Sequence, residues 1–278
     1  MEIILSQPIL EQRIQNIGRV VIVEADNLFL AQSFLKAFDI GRRVKVVALN
    51  YFRRTELRVP VDYGVQKVYL EVGQVVVMPN GTNKRVLNVA KVPEVRAKYG
   101  INDDKPMILF VGQINWKKNL KRVVESCGLL KQQGVDFQLV MAGQGPDEKG
   151  VRDLAQKCNI TQNLIMTGHL QDFETLDCLY SMADLFLFPS IYDNAPMVLR
   201  EAAAQRTPGL VVEGSCAAEV IQDGINGVLG KDTNESICEK IKQFLALPES
   251  EKSKMGGVAY DTIPIPWDGP LMDTILAL

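Results

Sequence analysis

The sequence predicts an α/β protein: a doubly wound parallel sheet of the Rossmann-like kind, preceded by a small N-terminal α/β remnant. Three observations carry this expectation. From residue 107 onward, short apolar segments alternate six times with segments of helical period, at 107–111, 137–142, 164–167, 185–188, 209–212 and 227–229. Strands separated by helices make parallel sheets. The strand segments are apolar almost throughout, as expected where helices cover both faces. Glycines, lysines and carboxylates gather directly after the strands, and ligands of such sheets bind at the strands' carboxyl ends.

The bulk composition sets the outer limits. The 278 residues are 47% hydrophobic and 23% charged, enough apolar matter for a full core. A net charge of −2 speaks against a dedicated nucleic-acid binder. Cys127, Cys158, Cys178, Cys216 and Cys238 are odd in number and lack metal-ligand spacing, which predicts reduced thiols in a cytoplasmic protein. His169 is the only histidine, so a histidine-built metal site or a catalytic triad has at most one candidate. Residues 1–10 do not read as a signal peptide, and no run of about 18 apolar residues occurs.

In chain order, 20–23 and 44–49 read as β-branched buried strands around a helix at 27–38 capped by Asn27, which makes one βαβ unit. Residues 50–73 mix basic, Pro and Gly residues and read as loops with one short strand near 68–70. A strand at 75–81 runs into an Asn-Gly turn, and a short helix at 91–100 ends on Gly100. Helices are expected at 120–133, 147–158, 173–182, 197–204, 217–222, 234–245 and 249–259. Two prolines interrupt 260–267, and the last ten residues form at most one short helix. The expected domains are therefore 1–74, 75–259 and a C-terminal segment, 260–278.

Four strand ends carry chemistry: Gly112-Gln113 with Lys117-Lys118, Gly143 with Gly145, Gly168-His169-Leu170, and the loop from Ser190 to Asn194. Glycines let a ligand approach the backbone, and lysine charge suits phosphates. The helix opening near Ala195, Met197 and Val198 offers free N–H groups. Asp193, and Glu201 eight residues on, put two carboxylates beside them, and a carboxylate accepts hydrogen bonds from a pair of sugar hydroxyls. The combination suits a nucleotide carrying two phosphates and a sugar. Plainer roles compete at every position: Asp193 as a helix cap, Glu201 as an exposed helix residue, Lys117-Lys118 as a solvated pair, the glycines as a tight turn, His169 as a turn residue.

In order along the chain stand PNG at 79–81, FVGQ…WKKNL at 110–120, AGQGP at 142–146, TGHL at 167–170, ADLFLFPSIYD at 183–193, REAAA at 200–204 and DGINGVL at 223–229. Together they resemble the nucleotide-binding half of a GT-B glycosyltransferase of the large retaining family 4, the glycosyl transferases group 1. The resemblance covers about 75–267. It implies hexosyl transfer from a nucleotide-diphosphate sugar, a UDP-sugar first among the candidates, to an acceptor with retention and without a metal cofactor. It gives Glu201 the donor ribose, Asp193 the donor sugar and Lys118 the diphosphate, with Lys118 and Asp193 as the catalytic pair. Gln113 stands where the family carries a cation, and Pro196 removes one N–H from the phosphate loop. Gly112, Ala195, Met197 and Val198 fall along the phosphates, and Gly143, Gly145, His169 and Leu170 along the nucleoside. The acceptor, a sugar, glycan or glycolipid, would meet a shortened first domain. That leaves room for peripheral membrane contact, and for an oligomer through the incomplete side. A non-catalytic nucleotide-sugar binder and a scaffold partner of a complete transferase are the competing expectations.

Overall fold

The computed structural model describes residues 20–24, 45–49, 58–63, 66–71, 77–78, 81–193 and 196–266, with side chains from residue 81 onward. The chain divides into two compact units, Met1–Asn80 with Pro270–Leu278, and Gly81–Gly269.

In the first unit, β1 (Val20–Glu24), β2 (Lys45–Leu49) and β5 (Val77–Met78) form a parallel sheet in the order β1-β2-β5. Between β2 and β5 in sequence, β3 (Arg58–Tyr63) pairs antiparallel with β4 (Gln66–Glu71) as a separate hairpin. Sequence periodicity finds only the centre of β4 and reads β3 as loop, because Arg58 and Pro60 dilute its β-branched pattern. The helix expected at 27–38 and the one in the last ten residues lie outside the described residues.

The second unit is the doubly wound sheet. Its strands are β6 (Met107–Val111), β7 (Gln138–Ala142), β8 (Leu164–Gly168), β9 (Leu185–Phe188), β10 (Gly209–Val212) and β11 (Gly227–Gly230). All pair in parallel, in the order β11-β10-β9-β6-β7-β8. The helices are α1 (Val92–Tyr99), α2 (Leu120–Gln132), α3 (Glu148–Lys157), α4 (Phe173–Met182), α5 (Met197–Ala204), α6 (Asn234–Leu245) and α7 (Glu249–Thr262). The four central strands are buried at every residue, whereas edge strand β8 is half-buried, so the core lies around β6 and β9. Phe186 and Phe188 stack there at 5.8 Å between ring centroids, and Tyr180 meets Phe186 edge-on at 5.7 Å.

Winding runs outward from β6 through β7 and β8, then returns to β9 on the other side of β6. The β6–β9 boundary is thus the topological switch point, where the two strand-end loops diverge and leave a crevice. Asp184 holds the opposite end of this boundary closed: its Oδ2 accepts from the Met107 N–H at 2.8 Å, and its N–H donates to the Met107 carbonyl at 2.9 Å.

Two expectations are corrected. The segment read as a helix over 217–222 is a 3-10 turn, Cys216–Val220, capped by Ser215 Oγ accepting from the Ala218 N–H. Five residues are too few for the period to separate a 3-10 turn from an α-helix. Helix α7 runs to Thr262 rather than stopping at residue 259, with Ile263 as its cap, and Pro264, which has no N–H to donate, follows it.

Candidate functional site

Three strand-end loops are stitched together by their own backbone. The Gly112 N–H donates to the Ala142 carbonyl (3.0 Å), Ile114 to Gln144 (3.0 Å), Asp147 to Ile114 (3.2 Å) and Gly143 to Gly168 (3.0 Å). The approach is so close that a Cβ on Gly143 would stand 1.9 Å from the Gly112 carbonyl oxygen, and one on Gly145 would stand 2.2 Å from that of Ile114. The neighbouring loop therefore requires both glycines whatever else comes near them. Gly143 also has φ +143°, which L side chains rarely adopt.

This frame carries Lys118. Asn115 Oδ1 accepts from the Lys117 N–H at 2.9 Å and opens a 3-10 turn, Trp116–Lys118. Asn119 ends the turn in the left-handed region (φ 59°) and sends its Nδ2 to the Pro189 carbonyl at 3.1 Å and to Asp232 Oδ1 at 3.0 Å. Arg122 Nε reaches the same Asp232 oxygen at 2.9 Å. Asn119 thereby joins the loops after β6, β9 and β11, and it aims Lys118 across the switch point.

On the far side, Lys118 Nζ ion-pairs with Asp193 Oδ1. Among the described residues, the other carboxylate oxygen, Asp193 Oδ2, is buried without a hydrogen-bond partner, and so is Ser190 Oγ on a fully buried residue of the same loop. Such groups cost free energy unless something bonds them, and their clustering marks a site prepared for a polar ligand. Helix α5 opens beside them at Pro196 with no side-chain cap, so the first N–H groups, those of Met197 and Val198, receive none. Ala195 lies outside the described residues.

Glu201 sits on the second turn of α5, half-buried, and its Oε2 accepts from the Tyr180 hydroxyl at 3.2 Å. Burial pushes its carboxyl above the ordinary range, and Arg85 and the Tyr180 hydrogen bond pull it partly back. The preceding residue, Arg200, is 8% exposed and donates to the Ile263 carbonyl at 2.6 Å, which ties α5 to the segment after α7. Burial lowers the Arg200 pKa.

The residues singled out in the sequence divide accordingly. Lys118 and Asp193 meet. Met197 and Val198 stand at the open helix end, and Glu201 is on the same helix. Gly112, Gly143 and Gly145 build the frame. Gln113 and His169 are exposed and Leu170 is half-buried on the strand-end loops, and their side chains make no polar contact among the described residues. Sequence reading missed Asn119, Asp232, Ser190, Arg85 and Tyr180. Asn119 and Ser190 lie inside motifs already noted, but nothing in the local pattern shows that Asn119 bonds the Pro189 carbonyl, 70 residues away.

A doubly wound parallel unit with an ion pair, orphaned polar atoms and an uncapped helix N-terminus at its switch point is an α/β fold with its crevice where such sheets bind ligands. Residues 91–259 match the family described as Glycosyl transferases group 1, and the chain belongs to that family. The alpha-D-kanosaminyltransferase of Streptomyces kanamyceticus is 26% identical over 178 residues, 64% of this chain and 45% of that protein. The alpha-monoglucosyldiacylglycerol synthase of Streptococcus pneumoniae is 24% identical over 168 residues, 60% of this chain and 38% of that protein. The chain thus spans less than half the length of these curated relatives. Among solved structures, a glycosyltransferase from Rickettsia africae superposes with a TM-score of 0.70 at 16% identity, over 100% of this chain and 83% of that one. Anabaena HepE in complex with UDP and glucose superposes with a TM-score of 0.62 at 13% identity, over 73% of this chain and 57% of that one. These similarities establish the GT-B type of fold. Among the described residues, no helix is long and apolar enough to cross a membrane.

Proposed function

We propose that this chain binds a nucleotide-diphosphate sugar at the β6–β9 switch point and transfers its hexose to an acceptor with retention of the anomeric configuration. The observation that carries the proposal is the Lys118–Asp193 pair across the crevice, with Asp193 Oδ2 and Ser190 Oγ left unbonded beside the open end of α5. Membership of the transferase family supports it.

In this reading the Lys118 ammonium and the Met197 and Val198 amides meet the negative charge that grows on the departing diphosphate, so catalysis is mainly electrostatic and uses no bound metal. Asp193 turns from Lys118 toward the donor sugar, while Glu201 takes the ribose hydroxyls. Gly112 and Gln113 border the phosphates, and Gly143, Gly145, His169 and Leu170 border the nucleoside. UDP is the first nucleotide to test, because HepE was solved with UDP and glucose. The acceptor is a sugar, glycan or glycolipid. The protein is cytoplasmic, at a membrane surface if the acceptor is a lipid.

Calorimetric titration with UDP-, GDP- and ADP-sugars tests the binding step. Absence of saturable binding by every one of them defeats the proposal. Release of nucleotide diphosphate that depends on added acceptor and persists in EDTA is the expected catalytic result. Exposed, neutral Gln113 favours one second reading, a binder that holds the donor without turning it over. Tight binding with no release under any acceptor mixture would select that reading.

A further inference from the structure

Behind Glu201 lies a polar chain without a task in donor binding. Tyr180 on α4 is 0% exposed and packs edge-on against Phe186, yet it carries a hydroxyl into the core and donates it to Glu201 Oε2 at 3.2 Å. Next to it, Arg85 grips Asp177 with Nε at 2.7 Å and Nη2 at 2.6 Å, and Asp177 is 3% exposed. The Arg85 carbonyl accepts from Gln205 Nε2 at 3.2 Å, which pins this segment to the residue that ends α5. Phenylalanine would fill the Tyr180 position without a polar atom to satisfy, so the hydroxyl needs a reason. Among the described residues its hydrogen-bond partner is the half-buried carboxylate of the candidate site.

We infer that Tyr180 is a positioning residue for Glu201: the hydroxyl holds Oε2 so that Oε1 is presented to the vicinal hydroxyls of a ribose, and Arg85, bound to Asp177 on α4 and to Gln205 at the end of α5, braces the two helices that carry the pair. The inference rests on the ribose role proposed for Glu201. A carboxylate already held in place loses little side-chain freedom when ligand binds. The charged form needs support, because burial is the largest influence on this carboxyl and favours the neutral acid. The groups facing it are Arg85, from the segment before α1, and Tyr180 and Asp177, from α4. Of these Arg85 and Tyr180 favour the anion, while Asp177 opposes it less strongly than Arg85 supports it. Arg200 on the same helix is turned away to the Ile263 carbonyl.

The test measures dissociation constants of UDP and 2′-deoxy-UDP, and of GDP and 2′-deoxy-GDP, for the full chain across a range of pH. Tyr180→Phe is expected to weaken the ribonucleotide about tenfold, the scale of one hydrogen bond to a charged group. The 2′-deoxy form should weaken much less, so discrimination between the two collapses. The acid midpoint of ribonucleotide binding should also move to higher pH, because the variant lacks a bond that favours the anion. Equal weakening of both nucleotides, or unchanged discrimination with an unmoved midpoint, overturns the inference. Glu201→Gln separates the levels. If it weakens ribonucleotide binding while Tyr180→Phe changes nothing, only the positioning role falls. If it binds like the wild type, the ribose role falls and the positioning role with it. Should Tyr180→Phe fail to fold, the double variant Arg85→Gln, Asp177→Asn removes both charges together. It must also raise the acid midpoint, and an unmoved midpoint overturns the inference.

Discussion

The loops after β6, β7 and β8 and the loop after β9 meet at one edge of the same sheet, yet they are built in opposite ways. The first three satisfy one another: the backbone N–H groups of Gly112, Ile114, Gly143 and Asp147 all find carbonyls in neighbouring loops, at 3.0 to 3.2 Å. The loop after β9 leaves Ser190 Oγ and Asp193 Oδ2 buried and unbonded, and its helix opens without a cap. The four backbone bonds of the frame are already made, and a ligand adds nothing to them. A loop with bonds outstanding gains when a ligand supplies them, so rigidity and binding capacity sit on opposite sides of the switch point.

The largest expected effect comes from breaking the frame. Gly143→Ala places a Cβ 1.9 Å from the Gly112 carbonyl oxygen at φ +143°. It should cost more than about 3 kcal/mol of unfolding free energy in urea denaturation, given strained backbone and overpacking together. A cost near zero would mean the loops are not locked. Lys118→Ala attacks the other side. Nucleotide-diphosphate affinity should fall by about 1.5–3 kcal/mol, the scale of hydrogen bonds to charged groups. The urea midpoint should fall less than for Gly143→Ala, because the pair keeps some contact with water although Asp193 loses its partner. A large stability loss with intact binding would reverse the assignment.

Asn119 belongs to both sides and gives a smaller effect. Asn119→Ala removes two side-chain bonds and strains a left-handed residue, at about 1–2 kcal/mol of stability. Asn119→Gly should recover the backbone share, measured in the same denaturation series. The smallest effect is a gain. The Glu201 carboxyl is raised in the folded state, which therefore holds its proton more tightly than the unfolded chain does. Below the ordinary carboxylate range both states are protonated and no cost arises. As pH climbs through the raised value, ionisation subtracts stability. Glu201→Gln should then raise the thermal midpoint at pH 7 by no more than a few degrees, and the gain should fade as the pH falls into the ordinary carboxylate range. A gain that persists undiminished at low pH would contradict the burial of that charge.

Much of the second unit was legible in the chain. The six apolar segments and the helical periods between them place the strands and helices within a residue or two, apart from the end of α7, because burial on both faces imposes unbroken apolar runs. The same logic fails for β3, whose Arg58 and Pro60 resemble loop, and for the short turn at Cys216–Val220. At the site, Lys118, Asp193 and Glu201 stood out as charges after strands. Tyr180 and Arg85 did not: Tyr180 lies 21 residues from Glu201 within a helix that reads as ordinary core, and Arg85 pairs with Asp177 across 92 residues.

By itself, then, the sequence determined the α/β class, the strand positions and the charged residues at strand ends, since apolar period and turn chemistry are local properties. Tertiary structure alone decided that β9 returns beside β6. That single neighbour relation brings Lys118 and Asp193 together over 75 residues and leaves Asp193 Oδ2 and Ser190 Oγ without partners. It follows from how the sheet buries its faces, a property of the whole chain that no local pattern encodes.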